Sequence, residues 1–153
     1  MAVKLTAFKG LSLATVVAVY ILIVLGGVVS STGSGLACPD WPLCQGQVIP
    51  ALTISVIIEL AHRVWTIVVT VLVVATMLVA WGKYRWPSRI TKFSTLTFAL
   101  LLGQIILGMI TVNTRTLPMA VTSHLALATL VFASALTTTL NAMAYDSRGV
   151  HAR

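Results

Sequence analysis

Four apolar stretches, each roughly 20 residues or longer, constrain this chain more than anything else in it. They run roughly from Leu11 to Val29, Ile54 to Trp81, Phe93 to Val112 and Met119 to Tyr145. A helical run of about 20 apolar residues spans the hydrocarbon layer of a bilayer, where every backbone polar group must be paired internally. The spacing predicts an all-α integral membrane protein: one four-transmembrane-helix bundle that uses residues 1–153. Of those residues 58% are hydrophobic and 8% charged, too little polar surface for a water-soluble domain.

The net charge of +7 would suit nucleic acid if it were clustered on one surface, but its distribution points to lipid. Lys4 and Lys9 precede the first stretch, Lys83, Arg85, Arg89 and Lys92 fill the second connection, and Arg148 and Arg153 lie in the tail. With an even number of helices all eight share one side, while Arg115 lies in a loop on the other. This positive-inside pattern predicts a multi-pass protein of the plasma membrane with both termini cytoplasmic, and no nucleic-acid partner. Trp81, Tyr84 and Trp86 mark the inner interface. The first stretch begins like a signal peptide, but its length exceeds the usual apolar region of about 7–15 residues, and it is read as a retained helix.

The connection from Ser30 to Thr53 is the longest, and its Gly and Pro content predicts a series of fixed turns on the outer side. It holds both cysteines, Cys38 and Cys44. In an oxidising compartment they either form a structural disulfide or act as a redox pair; two thiols alone leave a metal under-coordinated.

Two histidines stand at nearly one depth. His62 lies 19 residues before Trp81 and 21 before Lys83, and His124 lies 21 before Tyr145. At about 1.5 Å per residue, both rings fall roughly 30 Å from the inner anchor. Leu25-Gly26-Gly27-Val28-Val29 and Leu107-Gly108-Met109-Ile110-Thr111 form a faint internal repeat ahead of them. Two related hairpins would place His62 opposite His124.

Glu59, His62 and Arg63 share one helical face, and ionisable groups at membrane depth usually mark a site. A Glu59–Arg63 ion pair with His62 as a spectator is the plainer alternative, but it leaves His124 unexplained. Zinc would require a third or fourth ligand, and no polar residues visibly carry a proton path onward to the cytoplasm. Haem needs two axial donors and a wide apolar slot, so His62 and His124 are the candidate iron ligands. Gly26, Gly27, Gly103 and Gly108 either admit a porphyrin or pack helices. Arg63 and Arg115 are the cations near that depth that could pair with haem propionates. Of Met1, Met77, Met109, Met119 and Met143, Met119 lies nearest the required height, with packing its default role.

Taken together, Gly26-Gly27-Val28-Val29, Thr32-Gly33-Ser34-Gly35-Leu36, Cys38-Pro39-Asp40-Trp41-Pro42-Leu43-Cys44, Glu59-x-x-His62-Arg63 and the later histidine resemble the haem A synthases. The resemblance is strong over the first two helices and looser over the last two. It implies two four-helix halves in the longer relatives, the amino-terminal one binding haem O as substrate and the other a haem B cofactor. It further implies His62 and His124 as substrate-haem ligands, Glu59 as the catalytic carboxylate and a Cys38–Cys44 loop disulfide. The implied oxidoreductase reaction takes a haem O methyl, through hydroxylated intermediates, to the formyl of haem A with oxygen from water. A role in cytochrome oxidase assembly follows, with haem O synthase or terminal oxidase assembly factors as partners. One half carries one histidine pair, so a homo-oligomer, a dimer before a trimer, is expected to supply any second site. The rival from another class is a bis-histidine membrane cytochrome b that binds haem or carries electrons without modifying it.

Overall fold

Four helices account for most of the chain: α1 (Ala7–Ser31), α2 (Ile54–Lys83), α3 (Arg89–Asn113) and α4 (Pro118–Val150), with a single 3-10 turn at Ser34–Leu36. This computed structural model describes the backbone of residues 7–150 and the side chains of residues 7–145. Met1, Lys4 and Arg153 of the sequence reading lie outside the described residues, as do the side chains of Asp146 and Arg148.

Each helix is long and apolar enough to cross a membrane. The helix ends follow hydrogen bonding rather than hydropathy. Thr53 starts α2 at the expected position because its Oγ1 accepts from the Val56 N–H at 3.3 Å. Ser88 starts α3 four residues before Phe93 because its Oγ accepts from the Thr91 N–H at 3.2 Å. α1 reaches back to Ala7 and takes in Lys9, and α4 continues past Tyr145, since ladder bonds persist after the apolar run has ended. Val17, Tyr20, Val24, Ile67, Val71 and Leu130 face outward, a surface that lipid covers and water does not.

Consecutive helices are neighbours and α1 also packs on α4, closing a ring in which α2 and α4 are diagonally opposed. The two hairpins repeat one pattern. α1 and α3 correspond at an offset of 82 residues. Ser12 thus matches Ser94, Thr15 matches Thr97, Val19 matches Leu101 and Gly26 matches Gly108. Between α2 and α4 the offset is 62: His62 matches His124, Val69 matches Val131, Thr76 matches Thr138 and Ala80 matches Ala142. The short Leu-Gly match in the sequence is thus one stretch of a repeat that runs down all four helices.

The repeat builds layers. At the end bearing the chain termini, Phe8, Tyr84, Ile90, Ala80 and Ala142 cluster, with the Phe8 and Tyr84 rings edge-on at 5.1 Å. Next comes a buried hydroxyl layer. Ser12, Thr15, Thr76, Ser94, Thr97 and Thr138 line a cavity of about 10 Å³, at the lower limit for one water. These hydroxyls are satisfied by helix carbonyls and by cross-helix bonds that include Thr15 to Thr76 at 2.8 Å, Thr15 to the Leu72 carbonyl at 3.4 Å and Thr97 to Ser134 at 2.9 Å. Above them Ala18, Val19, Val69, Val73, Leu101 and Val131 form a dry apolar floor.

Close packing stops at that floor. Among the described residues, none beyond Val19 in α1, beyond Gln104 in α3 or before Val131 in α4 is fully buried; in α2 only Val56 and Glu59 precede Val69. Native interiors are normally packed to crystal density, and the partly exposed positions above the floor make this part of the bundle the candidate slot.

Candidate functional site

Both histidines stand over the floor at matched height. Val69 is seven residues from His62 and Val131 seven from His124, two helical turns or about 10 Å in each case. The glycines repeat the spacing, since Val19 precedes Gly26 by seven and Leu101 precedes Gly108 by seven. Each glycine seats a ring. A Cβ built on Gly26 would lie 3.3 Å from His62 Cε1, and one on Gly108 would lie 3.2 Å from His124 Cε1. Gly26 and Gly108 therefore act on the imidazoles, Gly103 packs against Leu127, and Gly27 has nothing near it. The two histidines belong to the diagonal helices α2 and α4.

The slot concentrates unsatisfied polarity. Among the described residues, three buried side-chain atoms lack a hydrogen-bond partner: His62 Nδ1, His124 Nδ1 and Gln104 Oε1. Buried polar atoms are paired in more than about nine cases in ten, so three orphans at one level mark a place built for something else. Just beneath, the Trp65 indole N–H donates to the Ala18 carbonyl at 2.9 Å and pins α2 to α1.

Over the slot lies the cysteine loop, with Cys38 and Cys44 joined as a disulfide. Both cysteines are buried beside Val56. The turn between them is held by Asp40, whose carboxylate accepts from the Gly46 N–H at 2.8 Å and the Gln45 N–H at 2.6 Å. These bonds, led by Gly46, hold the Asp40 carboxyl below its ordinary value of 3.8. Gly46 takes φ +71, a left-handed conformation that favours glycine. From the other side, Thr116 approaches Gly35 closely enough that a Cβ there would lie 3.3 Å from Thr116 Cγ2.

Arg63 joins loop to helix. Its Nε donates to Glu59 Oε1 at 2.7 Å, Nη1 to the Asp40 and Leu43 carbonyls at 3.0 and 2.7 Å, and Nη2 to the Cys38 carbonyl at 3.1 Å. The planar fork suits this task of bonding several loop carbonyls at once. Arg115 is exposed, and its guanidinium has no partner among the described residues. Glu59 is buried beneath the loop at 4% exposure. Met119, at 79% exposure, neither packs inside nor points at the slot.

Sequence reasoning missed Gln104. Its Nε2 lies 3.2 Å from His124 Nε2. The available signal was a lone carboxamide four residues before Gly108, on the face that meets the histidine. The buried hydroxyl layer was missed as well. It adds polar groups below the slot, with the dry floor between the two.

Two facing imidazoles, an open half-bundle and a capped carboxylate suit a flat metallated macrocycle better than a compact ion. No group of three or more His, Cys, Asp or Glu side chains converges among the described residues. The COX15-CtaA family signature, described as a cytochrome oxidase assembly protein, matches residues 9–152. The chain belongs to that family. Among its relatives, a haem A synthase of Bacillus licheniformis is 35% identical over 144 residues, covering 93% of this chain and 47% of the relative. A haem A synthase of Bacillus pumilus is 36% identical over 132 residues, covering 85% and 43%. One from Bacillus cereus is 32% identical over 128 residues, covering 81% and 41%. The chain thus spans somewhat under half the length of these relatives.

Proposed function

We propose that this four-helix unit binds haem O between His62 and His124 and takes part in its oxidation to haem A. The observation that carries the reading is the matched pair of imidazoles on diagonal helices, each seated on a glycine over an apolar floor. Bis-histidine ligation requires two donors from facing helices and a dry, wide cleft. The surface cation Arg115 is the proposed partner of a propionate.

Glu59 is the proposed catalytic carboxylate. It lies one turn toward the loop from His62, where a porphyrin edge would pass. Turning the methyl into an alcohol with water releases two protons and two electrons, the electrons passing to an external acceptor; an anion at Glu59 stabilises the positive charge developing at the methyl carbon, or takes a proton from the attacking water. Arg63 fixes one Glu59 oxygen and ties it to the disulfide loop above.

The charge pattern supports an orientation with both termini cytoplasmic and the disulfide loop outside, in the plasma membrane. A second copy of the chain is the proposed source of a haem B site, with a homodimer as the simplest assembly; the mass and haem count of the solubilised complex test it.

The deciding experiment supplies haem O to the expressed protein and identifies extracted haems by mass. Hydroxylated or formyl haem is expected from the wild type, and Glu59→Gln should keep bound haem and lose product. Bound haem O that is never modified would leave a bis-histidine cytochrome b in place of the synthase.

A further inference from the structure

The two histidines are equivalent in height and seating, but not in what touches the ring nitrogen. Four residues before Gly108, on the same face of α3, stands Gln104; four before Gly26 in α1 stands Leu22. Gln104 is buried at 9% exposure, with Oε1 unpartnered and Nε2 3.2 Å from His124 Nε2. With the carboxamide nitrogen as the donor, His124 Nε2 accepts and the ring proton sits on Nδ1. Among the described residues none plays this part for His62, whose counterpart position, Leu22, is aliphatic.

We propose that Gln104 is a latch on His124: its amide occupies the position iron must take, holds the ring in the ligating tautomer, and must swing aside for the second axial bond. The proposal rests on the reading of His62 and His124 as axial ligands. A hydrogen bond and an iron bond compete for one lone pair, so the amide and the metal exclude each other at Nε2. Ligation becomes ordered. His62 has no competitor and takes the iron first, and His124 follows when Gln104 releases it. The arrangement also accounts for two of the three orphaned atoms. Gln104 turns its nitrogen to the imidazole and strands its own Oε1, while the Nδ1–H of His124 faces the Gly108 backbone without an acceptor. As a positioning residue, Gln104 keeps His124 aimed into the slot while the slot is without haem.

Stopped-flow mixing of the full, detergent-solubilised chain with ferric haem B as probe tests the order. Wild type should bind in two phases, with the low-spin spectrum appearing in the slower one. Gln104→Leu, which installs the residue found at the repeat position, and Gln104→Asn, too short to reach, should each speed that phase roughly fivefold, the effect of one net hydrogen bond. Unchanged or slower second phases in both variants would overturn the latch. Nitrogen-15 NMR of the haem-free protein gives a readout independent of haem. His124 should carry its proton on Nδ1 in the wild type and lose that bias in Gln104→Leu; a proton on Nε2 in the wild type would also overturn it. Absence of any low-spin spectrum in the wild type is a different result, since it removes the ligand pair itself.

Discussion

The first hairpin, α1 with α2, and the second, α3 with α4, share a scaffold and differ in their chemistry. Seryl, threonyl, floor, glycine and histidine positions coincide at offsets of 82 and 62 residues. What is shared sets height and packing, because two copies of one hairpin around an axis put equal groups at equal depth. The unshared residues are polar. Glu59 and Arg63 of α2 correspond to Val121 and Leu125 of α4, and the disulfide loop corresponds to a short turn. The second hairpin answers with Gln104 in place of Leu22. In the proposed function the symmetric residues hold the haem, and the asymmetric ones act at its faces and edges.

Several substitutions sharpen or break this comparison. The largest effect belongs to the shared histidines: His62→Ala and His124→Ala should each abolish the low-spin haem spectrum, and survival of that spectrum in either would end the pairing. Arg63→Ala should cost about 3 kcal/mol in unfolding of the solubilised protein, because it leaves buried Glu59 unpaired and three loop carbonyls without a donor. Leu125→Ala at the matching, half-exposed site should stay within about 0.5 kcal/mol, and equal losses at the two sites would contradict the asymmetry. Replacing both cysteines with serine should cost about 2 kcal/mol through the freed loop and leave the second hairpin's hydrogen-exchange protection intact.

Smaller effects probe the symmetric layer. Thr15→Val and Thr97→Val should each cost about 1 kcal/mol, by loss of the bonds to Thr76 and Ser134, and a marked inequality would show that the repeat is not energetic. Weakest is the Asp40 turn. Its carboxyl has a lower pKa folded than unfolded, so ionisation stabilises the loop above the ordinary value of 3.8, and this is lost as pH falls through the lower folded value. Asp40→Asn should abolish that acid sensitivity in loop exchange rates; persistence would assign it to another group.

Much of the fold was legible because it is written in local terms. Apolar length gave four spans, and α2 begins at Ile54 as expected. Another start moved outward, to Arg89, because the Ser88 cap, not hydropathy, sets where that helix begins. His62 and His124 were visible because depth is a count of residues. The Glu59–Arg63 bond was visible at a spacing of four. The remaining partners of Arg63 lie 20 to 25 residues away in a loop with no periodicity, so nothing in the pattern could pair them.

By itself the sequence determined the number of helices, the depth of each histidine and the placement of charge, because rise per residue and hydropathy are properties of one segment at a time. Only the tertiary structure decided that Gly26 and Gly108 seat the rings, that Arg63 braces the loop and that Gln104 covers His124. Those contacts depend on how each helix is rotated against its neighbours, which is fixed by packing in all four helices together.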